Sequence, residues 1–129
     1  HDKPGLGQRG DYVGLEVNVR PPGGYSPDMM NFAHSTDVYQ IWADMVALDR
    51  STLPPSRDNH FCVYAGRRDA HAYAHSHEDV IARFGDSIVM CERMPDALSN
   101  DMGNQMYTAR LDGARERDEF IRYVQERAD

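Results

Sequence analysis

The chain has 129 residues, of which 40% are hydrophobic and 27% are charged, and its formal net charge is −7. This length allows one domain, or one domain with part of a neighbour, and the composition is too apolar for a disordered chain. The negative charge disfavours nucleic acid and anionic membranes as partners. Because the sequence has no run of about 20 apolar residues and no signal-peptide pattern, we expect a cytoplasmic protein.

The first predicted element is a strand over residues 12–20. Apolar residues at positions 13, 15, 17 and 19 alternate with polar ones at 16, 18 and 20, which is typical of a strand with one buried face. The sequence Pro21-Pro22-Gly23-Gly24 ends it, because prolines cannot donate to a sheet ladder and glycines permit unusual backbone angles. We therefore expect a tight loop after Arg20.

Two helices are predicted next. Pro27 suits the first position of a short helical turn that runs to Phe32. Ser35 or Thr36 is expected to cap a longer helix, and its apolar face is expected to pack on the sheet. The residues of that face recur at spacings of three and four: Val38, Ile41, Trp42, Met45 and Leu48.

The second half begins after a proline-containing connection at residues 50–59. We predict strands at 60–66, 70–74, 87–92 and 105–111, with a loop at 94–103. Ser76 and Asp79 have the spacing of a capping box, which predicts a helix that stops at Gly85, and a last helix starts near Ala114. These elements indicate an α+β fold, or a mixed α/β one, with a mixed or antiparallel sheet and flanking helices.

The polar face of the first strand is the main candidate site. Same-face neighbours in a strand lie about 6.6 Å apart, so Glu16 and Asn18 can converge on one cation. Magnesium prefers oxygen ligands of this kind, and Arg20 can clamp a phosphate or a carboxylate. The alternative is an ordinary solvated edge strand, and the spacing alone favours that alternative.

The segment Gly14–Gly24, with the sequence GLEVNVRPPGG, resembles the late metal-binding strand and substrate loop of ATP-grasp carboxylate-amine ligases. This superfamily includes biotin carboxylase and carbamoyl-phosphate synthetase. The continuation through residues 28–43 fits the helical region that follows that loop in the family. The resemblance covers residues 1–50 and implies the C-terminal part of an ATP-grasp fold.

The resemblance implies a role for each matched residue. Glu16 and Asn18 would bind the magnesium that bridges the ATP phosphates, and Arg20 would be the catalytic residue that holds the transferred phosphoryl group. Gly23 and Gly24 would present backbone N–H groups to a substrate carboxylate. The implied reaction is ATP-dependent activation of a carboxylate as an acyl phosphate, followed by its joining to an amine or another nucleophile.

The resemblance also implies a missing part. In the family, the phosphate-binding lysines, a glycine-rich loop and an earlier metal-binding acid all precede this strand, and Lys3 is too close to Glu16 to replace them. We therefore expect residues 1–50 to end an ATP-grasp domain and residues 59–129 to form a C-terminal α+β subdomain of a longer protein. On this interpretation the chain alone binds neither Mg²⁺ nor ATP tightly and is inactive.

Two classes of function remain open. The first is a piece of a ligase whose partners are small carboxylate and amine substrates, the rest of the ATP-grasp domain and, as a further option, a second copy in a homodimer. The second is a non-catalytic binding module that retains an ATP-grasp-like strand. Neither the substrate nor the role of residues 59–129 follows from the sequence.

Three further groups have two interpretations each. His71, His75 and His77 suggest a metal cluster, although surface histidines near a helix start are more common. The run Arg67-Arg68-Asp69 suggests an anion site, although a solvated strand end is the commoner arrangement. Cys62 and Cys91 are expected to be buried thiols rather than a disulfide.

Overall fold

The structure, a computed structural model, describes Arg20 and residues 22–128. Nearly all of the strand predicted at 12–20 lies outside the described residues, and so do Glu16 and Asn18. The predicted placement of Glu16, Asn18 and Arg20 on one strand face, opposite Leu15 and its apolar neighbours, therefore stays a prediction.

The described residues form five helices and three strands, which confirms the α+β class. The helices are α1 (Ser26–His34), α2 (Val38–Leu48), α3 (His77–Phe84), α4 (Asp96–Met102) and α5 (Ala114–Gln125). The strands are β1 (Phe61–Arg67), β2 (Ile88–Arg93) and β3 (Gln105–Leu111).

The three strands form one antiparallel sheet in the order β1-β3-β2. Strand β3 pairs with both neighbours, with Arg67 opposite Gln105 on one side and Arg93 opposite Gln105 on the other. The register between β2 and β3 shifts between Ile88 and Met90, which marks a bulge near the start of β2. Since β1 and β2 both run antiparallel to β3, they run in the same direction, and their C-terminal ends lie at the same end of the sheet.

The main core lies between one face of this sheet and the helices α3 and α5. Its buried side chains come from β1, β3 and the two helices: Ala65, Val80, Tyr107, Ala109, Leu111, Phe120 and Val124. The odd-numbered residues of β1 and β3 supply the strand part of this set, as expected from the alternation of side chains along a strand.

The opposite face of the sheet meets α1. Met106 and Thr108 are fully buried there. Arg110 Nη2 donates a hydrogen bond of 2.9 Å to Ser35 Oγ, at the end of α1. The first half of the described chain is therefore attached to the sheet by α1, while α2 contacts α1.

Side-chain capping explains where two of the described helices, α2 and α3, begin. The capping box at α3 is confirmed, because Ser76 Oγ accepts from the Asp79 N–H at 3.1 Å and Asp79 Oδ2 accepts from the Ser76 N–H at 2.8 Å. The prediction that Ser35 or Thr36 caps α2 was wrong. Asp37 is the cap, and its carboxylate accepts from the N–H groups of Tyr39 and Gln40.

The connection at residues 50–59 is tied to α2 by Asp44, a buried carboxylate. Asp44 Oδ2 accepts from the Thr52 hydroxyl at 2.5 Å and from the Thr52 N–H at 2.7 Å, and Gln40 Nε2 donates to Oδ1 at 2.6 Å. The hydrogen bond from the Thr52 hydroxyl is the largest of the causes that lower the pKa of Asp44. A charged carboxylate is thus buried with its oxygens satisfied.

Two predictions in the second half were wrong. Residues 70–74 form turns and bends rather than a strand, with one isolated bridge between Tyr73 and Arg127. The loop predicted at 94–103 contains α4, whose N-cap, Pro95, makes no side-chain capping bond. Among the described residues no helix is long and apolar enough to cross a membrane.

Candidate functional site

The predicted substrate loop forms an open turn. Gly23 and Gly24 are exposed, and Gly24 has a φ of +63°, a backbone angle that favours glycine. A side chain built at either position would meet no described atom within 4 Å. The described residues therefore leave the side-chain position of both glycines open.

The turn leads directly into α1 and is held against the sheet. Pro27 is buried at the start of α1. Tyr25, between the glycines and the helix, donates from its hydroxyl to Glu92 Oε2 on β2 at 3.2 Å. Burial, and then the hydrogen bond to Glu92, raise the pKa of Tyr25. A segment from the first half thus contacts a strand of the second half.

Three of the five predicted site residues, Arg20, Gly23 and Gly24, lie among the described residues. Arg20 is exposed, and Gly23 and Gly24 follow it within four positions. The proposed metal ligands, Glu16 and Asn18, lie outside the described residues. Within residues 22–128 and Arg20, no group of three or more His, Cys, Asp or Glu side chains is placed to hold a metal ion.

The apolar face of α2 is exposed over much of its length. Of the residues predicted for this face, Leu48 is 52% exposed and Trp42 and Met45 also expose more than a third of their surface, while Val38 and Ile41 are half-buried. Tyr39 and Val46, outside the predicted face, are exposed as well. The sheet that this face was predicted to meet includes the strand at 12–20, most of which lies outside the described residues. A contiguous patch of exposed apolar side chains often marks a surface that binds another protein segment.

The three histidines have separate environments. The His75 ring stacks on Tyr123, with ring centroids 3.6 Å apart, and its Nε2 lies 3.1 Å from Glu126 Oε2. His77 Nδ1 lies 2.8 Å from the Tyr107 hydroxyl oxygen. His71 is exposed. These contacts describe packing and capping roles, and the described part of the chain brings the histidines into no metal cluster.

The expectation of a solvated strand end at Arg67-Arg68-Asp69 was wrong for its first residue. Arg67 is only 7% exposed, whereas Arg68 and Asp69 are exposed. A signal for this was present in the sequence, because position 67 continues the row of Val63 and Ala65 along β1. The carbonyl groups that accept from Arg67 come from distant residues, and no local pattern predicts them.

Comparison of the chain with protein-family models, with curated proteins and with solved structures gave no match.

Proposed function

We propose that this chain contributes the metal-binding strand and substrate loop of an ATP-dependent ligase of the carboxylate-amine type. The proposal rests on the resemblance of residues 14–24 to ATP-grasp ligases. The observation that supports it is the open turn at Gly23 and Gly24, directly after Arg20. A loop that binds a carboxylate through its backbone must be open to the ligand, and both glycines are exposed.

The proposed reaction has two steps. A carboxylate oxygen of the substrate attacks the γ-phosphorus of ATP, the bond to the β-phosphate oxygen breaks, and ADP leaves. The amine then attacks the carbonyl carbon of the acyl phosphate and expels inorganic phosphate. Arg20 is the proposed catalytic residue, because a fixed guanidinium stabilises the negative charge of the phosphoryl group during transfer.

The metal would be held by oxygen atoms of this chain. Glu16 offers a carboxylate and Asn18 an amide oxygen, which are hard ligands suited to Mg²⁺. A bound magnesium ion would neutralise charge on the ATP phosphates. The backbone of Gly23 and Gly24 would orient the substrate carboxylate beside them.

The rest of the ATP-grasp domain is the proposed partner of the exposed α2 face. That surface of α2 presents Trp42, Met45 and Val46. Burial of apolar area stabilises an interface by about 25 cal/mol per Å². Covering these side chains would therefore favour assembly of the site with the nucleotide-binding part.

The test uses the full-length protein with ATP, magnesium, a panel of small carboxylates and hydroxylamine. Hydroxylamine traps an acyl phosphate as a hydroxamate, so the assay needs no knowledge of the amine. We expect Glu16→Gln and Arg20→Gln to abolish hydroxamate formation and ADP release while the melting temperature stays within about 2 °C, because most surface substitutions change stability by no more than about 0.5 kcal/mol.

Matched controls remove the same charges elsewhere. Asp86→Asn and Arg57→Gln change exposed residues outside the proposed site, and we expect wild-type turnover from both. Wild-type turnover in the Glu16 variant would refute the metal role. If no carboxylate supports ADP release by the unmodified full-length protein, the binding-module alternative replaces the ligase.

A further inference from the structure

Side chains from all three strands lie together at one end of the sheet, where β1 and β2 end and β3 begins. Arg67 on β1 and Arg93 on β2 are both register partners of Gln105 on β3, so the three side chains lie in one row on the same face. They line a cavity of about 450 Å³, whose lining is completed by Arg68, Asp69, His71, Tyr73, His77 and Tyr107. We call this cavity, defined by these nine residues, the arginine pocket.

Arg67 and Tyr107 form the floor of the arginine pocket, since both are buried while Arg68, His77 and Arg93 are exposed. The Arg67 guanidinium lies over the Tyr107 ring, with Cζ 5.6 Å from its centroid. Such stacking holds the guanidinium plane in a fixed orientation.

Arg67 makes two hydrogen bonds to carbonyl groups. Its Nε donates to Val124 O at 2.6 Å, in the last turn of α5, and its Nη1 donates to His75 O at 2.9 Å. Its Nη2 is buried and has no hydrogen-bond partner among the residues that the structure describes. A buried, unsatisfied charged donor is costly, so this atom needs an acceptor.

The acids near Arg67 are bound to other groups, although Asp69 itself lines the pocket. Asp69 pairs with Arg93 through two hydrogen bonds of 2.8 and 2.5 Å. Asp79 belongs to the capping box, whose hydrogen bonds from Ser76 are the main cause of its lowered pKa, and Arg67 is the smallest cause. No carboxylate of the described chain lies within 4.0 Å of the Arg67 guanidinium nitrogens.

Arg68 adds a second guanidinium, and this residue lines both the arginine pocket and a second cavity beside α4. Its Nη1 has a long hydrogen bond of 3.4 Å to Ser99 O and it forms no ion pair in the described part of the chain. Two positive charges without paired acids thus face one cavity, in a protein whose net charge is −7. A local positive field in an acidic protein selects an anionic ligand.

We propose that the arginine pocket binds a small organic phosphate. A phosphate monoester carries about −1.5 to −2 charge at neutral pH, which matches the two guanidinium groups of Arg67 and Arg68. The planar fork of arginine suits phosphate oxygens, and Arg67, which lines the cavity, carries a donor that has no partner among the described residues. The cavity volume lies in the range of about 300–1,000 Å³ typical of small-molecule sites, which leaves room for an organic group beside His77 and Tyr107. This site is separate from the proposed ligase site and does not depend on it.

The test titrates the 129-residue chain with glycerol 3-phosphate, inorganic phosphate and glycerate, without ATP or magnesium, by calorimetry and NMR. We expect saturable binding of glycerol 3-phosphate at one site. Arg68→Gln should weaken it about tenfold, the loss expected for a charge-assisted hydrogen bond. Arg57→Gln, the matched control in an exposed loop, should leave the affinity unchanged.

Arg67→Met separates binding from packing. If this variant keeps the wild-type circular dichroism spectrum, we expect it to lose glycerol 3-phosphate binding altogether. If this variant unfolds, the comparison of glycerol 3-phosphate affinity between Arg68→Gln and Arg57→Gln tests the proposal instead. Equal weakening by those two substitutions, or no saturation by the wild type, would overturn the proposal. Tighter binding of glycerate than of glycerol 3-phosphate would overturn the assignment to phosphate.

Discussion

At the scale of single residues, the two thiols show how position in the sheet controls reactivity. Cys62 and Cys91 are both free and only partly buried, and they lie on opposite faces of the sheet. Burial raises the pKa of Cys62 to about 11, and the nearby positive charge of Arg110 offsets only part of this effect. Burial also raises the pKa of Cys91. Thiolate is the reactive form, so both cysteines are expected to react slowly near neutral pH.

The pH dependence of alkylation tests this. In a Cys91→Ser variant, the rate of Cys62 modification by iodoacetamide should rise about tenfold per pH unit from pH 8 to pH 10, because the thiolate fraction stays small below the pKa of about 11. A free cysteine peptide, measured in parallel, should level off above its pKa of about 8.5. A Cys62 rate that levels off at the same pH as the peptide would contradict the raised pKa.

Single residues also show which site features a sequence can predict. The Ser76 and Asp79 pair was predictable because its two hydrogen bonds join residues three apart. The burial of Arg67 was not, since its acceptors Val124 and His75 are brought to it by the fold. The proposed ligase residues were chosen by resemblance, and of these Arg20, Gly23 and Gly24 lie among the described residues.

At the scale of elements, α5 gives the sharpest contrast between neighbouring positions. Phe120 is fully buried, and its ring meets the Phe84 ring edge-on with centroids 5.3 Å apart. The next residue, Ile121, is 36% exposed. The helix therefore packs mainly through Phe120 and Val124, its two buried residues.

We expect Phe120→Ala to lower the free energy of unfolding by about 3–5 kcal/mol, the usual cost of removing a buried aromatic ring. Ile121→Ala, one position along the same helix, should cost about 1 kcal/mol or less because part of its surface already meets water. Urea denaturation followed by circular dichroism measures both. Equal losses for the two variants would show that α5 packs differently from the structure described.

Elements with a strong local signal were predicted best. The alternating strands β1 and β3 and the capped helix α3 were found within about two residues of their ends, as is usual for boundaries. Helix α4 was missed because its sequence lacks an apolar stripe and a side-chain cap. Residues 70–74 resemble a strand in composition, but they pair only through the Tyr73 bridge.

At the scale of the whole molecule, the proposed ligase site contains one acid, one amide and one arginine. Binding of magnesium–ATP needs further positive groups on the β- and γ-phosphates and an enclosing loop. We therefore expect the 129-residue chain to bind ATP more weakly than about 1 mM in calorimetry, and to hydrolyse none. Micromolar affinity would contradict this prediction.

A second titration shows which part of the chain is responsible for any weak ATP binding. The arginine pocket can attract the ATP phosphates without any ligase site, so the titration is repeated with Arg68→Gln. Binding that disappears in this variant belongs to the arginine pocket. Binding that persists there, and is lost in Arg20→Gln, belongs to the segment around the glycine turn.

The strand order has a consequence for how the protein is made. Among the described strands, β3 is central in the sheet and is the last in the chain, so β1 and β2 lack this shared partner until residues 105–111 have been synthesised. At about 5–20 residues per second, the apolar β1 waits several seconds on the ribosome for its partner. A chain that ends just before Gln105 would contain β1 and β2 without β3, the strand that both pair with. We expect such a chain to aggregate more readily.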